Sequence, residues 1–274
     1  MEKNKIFCRL CGSNDCRLIL AINKKPEKET DFKIKNYRRQ IFFCNNCGVY
    51  FNSSNFDSSS IYSGYYNDAT YQNRILERYN KIMGLPYDKS DNKGRVSRIV
   101  GFLKNKSLDP RGISALDVGS GLCVFLGEMK KHGFKCFCID PDKSSISHAI
   151  ENVGVDGAYC CSLNDFKTEH KFGLITFNKV LEHVEDPISM LKKAKDYLTP
   201  DGFVYIELPD AETAVKFGGA LEREEFYVEH NFILTRKSFS FILEKSGFDG
   251  EVRSIHEPSG KYTLFSFAAA SDKK

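Results

Sequence analysis

Apolar and polar positions change their spacing twice along the chain. Residues 37–43 read as a strand set in a polar, lysine-rich front part. Ile75, Leu76, Tyr79 and Ile82 then keep helical spacing, as do Val96, Ile99, Val100 and Leu103. After a turn at Asp109-Pro110-Arg111-Gly112, short apolar runs alternate with helical stretches. Strands are predicted at 113–118, 135–139, 158–162, 172–177 and 202–208, and helices at 124–131, 143–152 and 188–198. A further helix through 239–245 stops at Gly247, and strands near 251–255 and 262–268 flank Pro258-Ser259-Gly260. This alternation predicts an α/β fold with a doubly wound, mostly parallel seven-stranded sheet covered by helices on both faces, the final hairpin adding one antiparallel strand.

The same pattern divides the chain into a front module at 1–55, a tyrosine-rich helical lid or linker at 56–110 and the α/β domain at 111–274. No run approaches the roughly 20 apolar residues of a membrane span. Met1-Glu-Lys-Asn-Lys5 leads into a cysteine pair and not an apolar signal core, so a cytoplasmic location is expected. Net charge is +4, but residues 1–60 hold 11 Lys/Arg against 6 Asp/Glu. A basic front could meet phosphate, or could simply be a solvated surface.

Of ten cysteines, four form two C-x-x-C pairs, Cys8-Arg-Leu-Cys11 and Cys44-Asn-Asn-Cys47, followed by Gly12 and Gly48. In a reducing compartment such pairs are thiolate ligands, and four of them close a tetrahedral site of the kind that holds structural zinc. A zinc-ribbon-like module is therefore expected. Cys123, Cys136, Cys138, Cys160 and Cys161 fall in apolar runs and read as core, while Cys16 stays undecided.

The main chemical motif is Ala115-Leu-Asp117-Val-Gly119-Ser-Gly121, a strand running directly into glycines where backbone can approach a ligand closely. Val124 stands where a dinucleotide fingerprint would place its third glycine, which weakens a nicotinamide reading. Asp140 ends the next strand, 21 residues after Gly119, where a carboxylate can accept both hydroxyls of a ribose; it can equally cap the following helix.

With Phe177-Asn-Lys-Val-Leu-Glu182-His183-Val-Glu-Asp-Pro187 and Leu198-Thr-Pro-Asp-Gly202 added, residues 112–269 resemble class I S-adenosylmethionine-dependent methyltransferases, which have a Rossmann-like fold. The resemblance implies that Asp117, Gly119 and Gly121 border the methionine end of the cofactor, that Asp140 holds its ribose, and that Ser162 and Leu163 flank its adenine. Gly173 departs from the family, where Asp is common. The phrase Tyr227-Val-Glu229-His230, the cysteine module and the tyrosine cluster (Tyr62, Tyr65, Tyr66, Tyr71) further resemble the sugar-nucleotide C-methyltransferases of deoxysugar pathways, without their C-terminal domain. That likeness implies His230 as general base, Glu229 orienting its imidazole, Tyr227 bonding the acceptor, and Tyr62 and Tyr66 closing over the cofactor. His183 is a second candidate base, or a packing residue at a helix start. Glu182 beside it could instead share a divalent cation, as in some quinone-forming relatives.

The expected partner is a small acceptor, sugar-like or nucleotide-linked. Nucleic acid is not expected: the phrase after the fourth strand is Asn178-Lys-Val-Leu, not the N/D-P-P-Y/F of adenine-amino methylation. Two alternatives stay open: an RNA methyltransferase whose zinc module grips nucleic acid, which the basic front favours, and a non-catalytic protein with a degenerate cofactor domain.

Overall fold

The computed structural model describes residues 5–54, 74–216 and 223–271; Tyr62, Tyr65, Tyr66 and Tyr71 lie outside them. The front module contributes β1 (Cys16–Ile22), β2 (Arg39–Cys44) and β3 (Tyr50–Ser54). Two helices follow, α1 (Ile75–Met83) and α2 (Asp91–Asn105), the second capped by Ser90, whose side chain accepts from the Lys93 N–H.

The predicted alternation is then observed: β4 (Ser114–Val118), α3 (Val124–Lys131), β5 (Lys135–Asp140), α4 (Lys143–His148), β6 (Gly157–Cys160), β7 (Phe172–Asn178), α5 (Pro187–Lys195) and β8 (Leu198–Pro209). The chain closes with α6 (Ala211–Lys216), β9 (Phe232–Ile233), α7 (Arg236–Ser246), β10 (Phe248–Asp249), β11 (Arg253–His256) and β12 (Tyr262–Ala270). Among the described residues no helix is long and apolar enough to cross a membrane.

The main sheet runs β10-β12-β8-β7-β4-β5-β6, with β11 paired to β12. Strands β8, β7, β4, β5 and β6 are mutually parallel, and β12 lies antiparallel to β8. Eight strands replace the seven expected because two residues after Gly247, Phe248 and Asp249, pair with the end of β12. Both faces are covered, as a parallel sheet requires. Ile175, Phe177, Val204 and Ile206 pack toward Leu191 of α5 and Phe239 and Ile242 of α7. Ala115, Cys136, Leu174 and Phe203 pack toward Val96, Ile99 and Leu103 of α2 and Phe125 and Met129 of α3.

The helix expected at 143–152 has the expected extent but changes winding, α4 passing into a π turn at Ala149–Val153 that closes on Gly154 at φ 67°.

The front module does not stand apart. Its sheet, β1-β2-β3-β9, takes its fourth strand from 232–233, where Ile233 and Phe232 pair with Tyr50 and Phe51. Cys8, Leu10, Phe42, Val49 and Phe51 join the same apolar core as the α/β sheet. Thr235 caps α7 and also donates its hydroxyl to the Gly48 carbonyl at 2.9 Å, tying that helix to the second cysteine knuckle.

On the opposite side, α2 is bound to the sheet by charge. Glu207 of β8 is fully buried between Arg95 and Arg98, each at 2.5 Å. Burial alone would raise its carboxyl, but the two guanidinium groups outweigh it and hold the pKa at about 2.

Candidate functional site

The glycine turn sits at the carboxyl ends of β4, β5 and β7, where ligands bind in open α/β sheets. Gly119 and Gly121 have φ of 71° and 48°, the left-handed region. A Cβ on Gly119 would meet Val180 Cγ2 at 3.0 Å, so this turn needs bare backbone. Beneath it, Asp117 Oδ1 accepts from Thr176 Oγ1 at 2.6 Å and Asn178 Nδ2 at 2.8 Å. Burial nevertheless pushes its carboxyl up to about 7.

Asp140 lies across the turn. One carboxylate oxygen accepts the Gly121 N–H at 2.9 Å and the other the Asp142 N–H at 2.8 Å. Each oxygen keeps a second lone pair, so the group can fix the turn and still receive two hydroxyls. Asp142, not Asp140, caps α4, accepting from Ser145 N. Around the turn, Ser120 Oγ and Asn178 Oδ1 are buried with no hydrogen-bond partner among the described residues. Buried polar atoms of this kind fit a polar ligand.

Ser162 bonds Asp165 Oδ2 at 2.6 Å, and Phe166 N donates to the Ser162 carbonyl. Leu163 is buried in the main core, so its side chain packs inward and only its main chain can border a ring. Tyr62 and Tyr66 lie outside the described residues.

Two histidines meet beyond β7. The rings of His183 and His230 are 4.7 Å apart, and Nδ1 of each faces a backbone carbonyl. His183 Nδ1 is 3.0 Å from the Glu229 carbonyl, and His230 Nδ1 is 2.9 Å from the Glu225 carbonyl. A carbonyl only accepts, so both Nδ1 atoms carry protons, and in a neutral His230 ring the lone pair is on Nε2. Burial and the neighbouring His183 drive the His230 pKa well below its ordinary value, leaving a neutral imidazole.

The expected role of Glu229 changes here. Its main chain orients His183, and the Glu225 carbonyl orients His230. Burial raises the Glu229 carboxyl to about 7. Tyr227 is buried at the same loop, its phenol pKa raised by burial. Glu182 is fully buried with neither carboxylate oxygen hydrogen-bonded among the described residues, and its ligand atom lies within 4.8 Å of those of His183 and His230.

The four predicted cysteines converge. Cys8 and Cys47 have Sγ atoms 3.7 Å apart, and Cys11 and Cys44 3.6 Å. Four thiolates around zinc at ~2.3 Å have edges of about 3.8 Å, so the donor set fits that ion. Gly12 N and Gly48 N return to the Cys8 and Cys44 carbonyls at 2.8 Å, forming two equivalent knuckles. Cys16 stays outside the cluster, its thiol donating to the Ser13 carbonyl.

Three polar groups at the site escape sequence reading. Asn52 Nδ2 donates to the His230 carbonyl at 2.6 Å, and Asn231 Nδ2 to the His183 carbonyl at 2.6 Å. Lys179, with φ 61°, reaches Thr263 Oγ1 at 2.9 Å, and burial lowers its pKa. A polar residue just past an apolar strand was the only available signal for Lys179. Nothing along the chain links Asn52 to His230.

A family model described as a methyltransferase domain matches residues 89–251. Ubiquinone biosynthesis O-methyltransferase of Haemophilus ducreyi is 30% identical over 115 residues, 38% of this chain and 49% of that protein. The Neisseria meningitidis serogroup C protein of the same name is 30% identical over 105 residues, 35% of this chain and 44% of its own. The chain thus spans about half the length of these curated relatives. Among solved structures, the 1,6-didemethyltoxoflavin-N1-methyltransferase of Burkholderia thailandensis, with S-adenosylhomocysteine bound, aligns with TM-score 0.56 at 14% identity, covering 85% of this chain and 96% of that one. Magnesium protoporphyrin IX methyltransferase from Synechocystis aligns with TM-score 0.55 at 15% identity, covering 78% and 100%. At such identities the likeness concerns the fold.

Proposed function

The chain belongs to the methyltransferase-domain family, and we propose that it is an S-adenosylmethionine-dependent methyltransferase acting on a small, sugar-like or nucleotide-linked acceptor. The observation that carries this reading is the Asp140 carboxylate, clamped by the N–H groups of Gly121 and Asp142 beside the bare turn at Gly119. Asp140 would receive the ribose hydroxyls, while Asp117, Gly119 and Gly121 border the methionine end. The main chain at Ser162 and Leu163 would edge the adenine, and Tyr62 and Tyr66 would cover the cofactor. S-adenosylmethionine, when bound, supplies an electrophilic methyl carbon.

The remaining work falls to the histidine pair. Orientation of two reactants contributes about 7–11 kcal/mol, and a placed base about 10²–10⁴-fold. His230, neutral and with its lone pair on Nε2, accepts the acceptor's proton; His183 stands beside it as the second candidate, and Tyr227 bonds the acceptor. Glu229 shapes the loop through its main chain. In the front module, Cys8, Cys11, Cys44 and Cys47 would hold one structural zinc ion.

The name shared by the curated relatives favours a second acceptor, a hydroxyl on an aromatic ring. The convergence of Glu182, His183 and His230 would let a divalent cation assist such a hydroxyl.

Mass spectrometry of a panel of nucleotide-sugars and hydroxylated aromatics, incubated with S-adenosylmethionine and protein, separates these readings. A nucleotide-sugar is expected to gain one methyl group. His230→Ala is expected to lower turnover at least about 100-fold with cofactor affinity intact. Unchanged turnover would return His230 to packing, and methylation of the aromatics alone would overturn the sugar assignment.

A further inference from the structure

A cleft of about 310 Å³ opens where the cysteine module meets the loop that carries the histidines. Its wall includes Lys5, Phe7 and Arg9 before and within the first knuckle, Asn52 of β3, and Glu185 and Asn231 from the other side. The alternation that sends Cys8 and Leu10 into the core turns Phe7 and Arg9 outward, leaving Phe7 56% exposed. A large aromatic face exposed in a cleft marks a binding surface more than a folding element.

Two cations share this wall. Among the described residues neither Lys5 nor Arg9 forms an ion pair with a carboxylate. Arg9 is nonetheless held in place. Its Nη1 donates to Asn231 Oδ1 at 3.3 Å, and its guanidinium lies 5.8 Å over the Phe232 ring. That leaves further N–H donors on a positioned fork, the arrangement that recognises phosphate oxygens.

The cleft is also wired to the chemistry. The two asparagines in its wall are those that hold the histidines: Asn52 bonds the His230 carbonyl and Asn231 the His183 carbonyl. A ligand seated against Asn52 and Asn231 therefore lies one hydrogen bond from the main chain of both imidazoles.

We infer that this cleft anchors the diphosphate and adjoining ring of a nucleotide-linked acceptor, with Lys5 and Arg9 on the phosphates, Phe7 on the ring and Glu185 accepting hydroxyls. This rests on the methyltransferase reading above and adds to it the part of the acceptor that is held away from the reacting atom. It also gives the cysteine module a role in substrate choice, because its knuckle presents Phe7 and Arg9.

The test is calorimetric titration of the full chain with uridine diphosphate, inorganic pyrophosphate and, separately, S-adenosylhomocysteine. Wild type is expected to bind uridine diphosphate, with affinity falling as salt rises. The Lys5→Ala/Arg9→Ala variant should lose at least about tenfold for both phosphate probes, the loss of two charge-assisted contacts. Phe7→Ala should weaken uridine diphosphate and spare pyrophosphate. Glu185→Gln, which removes a repelling charge, should tighten pyrophosphate. S-adenosylhomocysteine affinity should stay unchanged in every variant, which also reports an intact fold. Equal binding of uridine diphosphate by wild type and the double variant would overturn the inference, as would no binding by a wild type that binds S-adenosylhomocysteine. Failure to bind S-adenosylhomocysteine would instead sink the methyltransferase reading itself.

Discussion

Two backbone carbonyls decide which nitrogen of each site histidine carries its proton. Because the Glu229 and Glu225 carbonyls occupy the Nδ1 positions of His183 and His230, the base-competent atom of each ring is Nε2. Burial and the adjacent His183 lower the His230 pKa, so the base is neutral from below its usual titration range upward. The sign follows: a depressed histidine loses its function only as pH falls through the lowered value. The profile of kcat is therefore expected to be flat from about pH 6.5 upward, with its acid limb lying lower. An acid limb centred at or above that value would contradict His230 as the base. The measurement should be kcat and not kcat/KM. Asp117, raised to about 7 by burial, would place its own limb on cofactor binding.

Among the elements, the alternating series from β4 to β8 was legible, as were α7, β11 and β12, whereas β1, β3, α6 and the two-residue strands β9 and β10 were not. Strands β4, β5 and β7 end where the apolar runs end, and α7 stops at Gly247, whose φ of 70° suits glycine. Strands β9 and β10 have two residues each, too few for any alternation to show. Strand β8 begins at Leu198, earlier than its apolar run, because Leu198 pairs with Phe172 and residues 199–202 then bulge out before Phe203 pairs with Leu174. The cysteine knuckles were legible as pairs, but their attachment to β9 and α7 was not, since it depends on contacts almost 190 residues apart in sequence. With so much of its surface lent to the main core, the module should communicate metal loss to the whole fold. Native mass spectrometry is expected to find one zinc per chain. Chelation, or Cys44→Ser, should lower the melting temperature by several degrees. Cys16→Ser should retain the metal. A protein that binds no zinc, or whose melting is indifferent to its removal, would contradict the structural assignment.

Across the whole molecule, the sheet brings its carboxyl edge, the histidine loop and the cysteine module to one side. The cofactor half of this arrangement was readable, because Asp117, Gly119, Gly121 and Asp140 sit at spacings that two consecutive parallel strands impose. The acceptor half was readable only as residue types. Asn52 on β3 and Asn231 just before β9 belong to neighbouring strands of the front sheet that lie far apart in the sequence, and they meet the histidines through tertiary packing alone. The central claim is that the bare turn and the Asp140 carboxylate together form a nucleoside pocket, and calorimetry with S-adenosylhomocysteine tests it most directly. Wild type should bind in the micromolar range. Asp140→Asn, which keeps the shape but turns one acceptor into a donor, should lose at least about tenfold, as expected for a charged acceptor of hydroxyl groups. Equal affinity in wild type and Asp140→Asn, or no binding at all by wild type, would contradict the account.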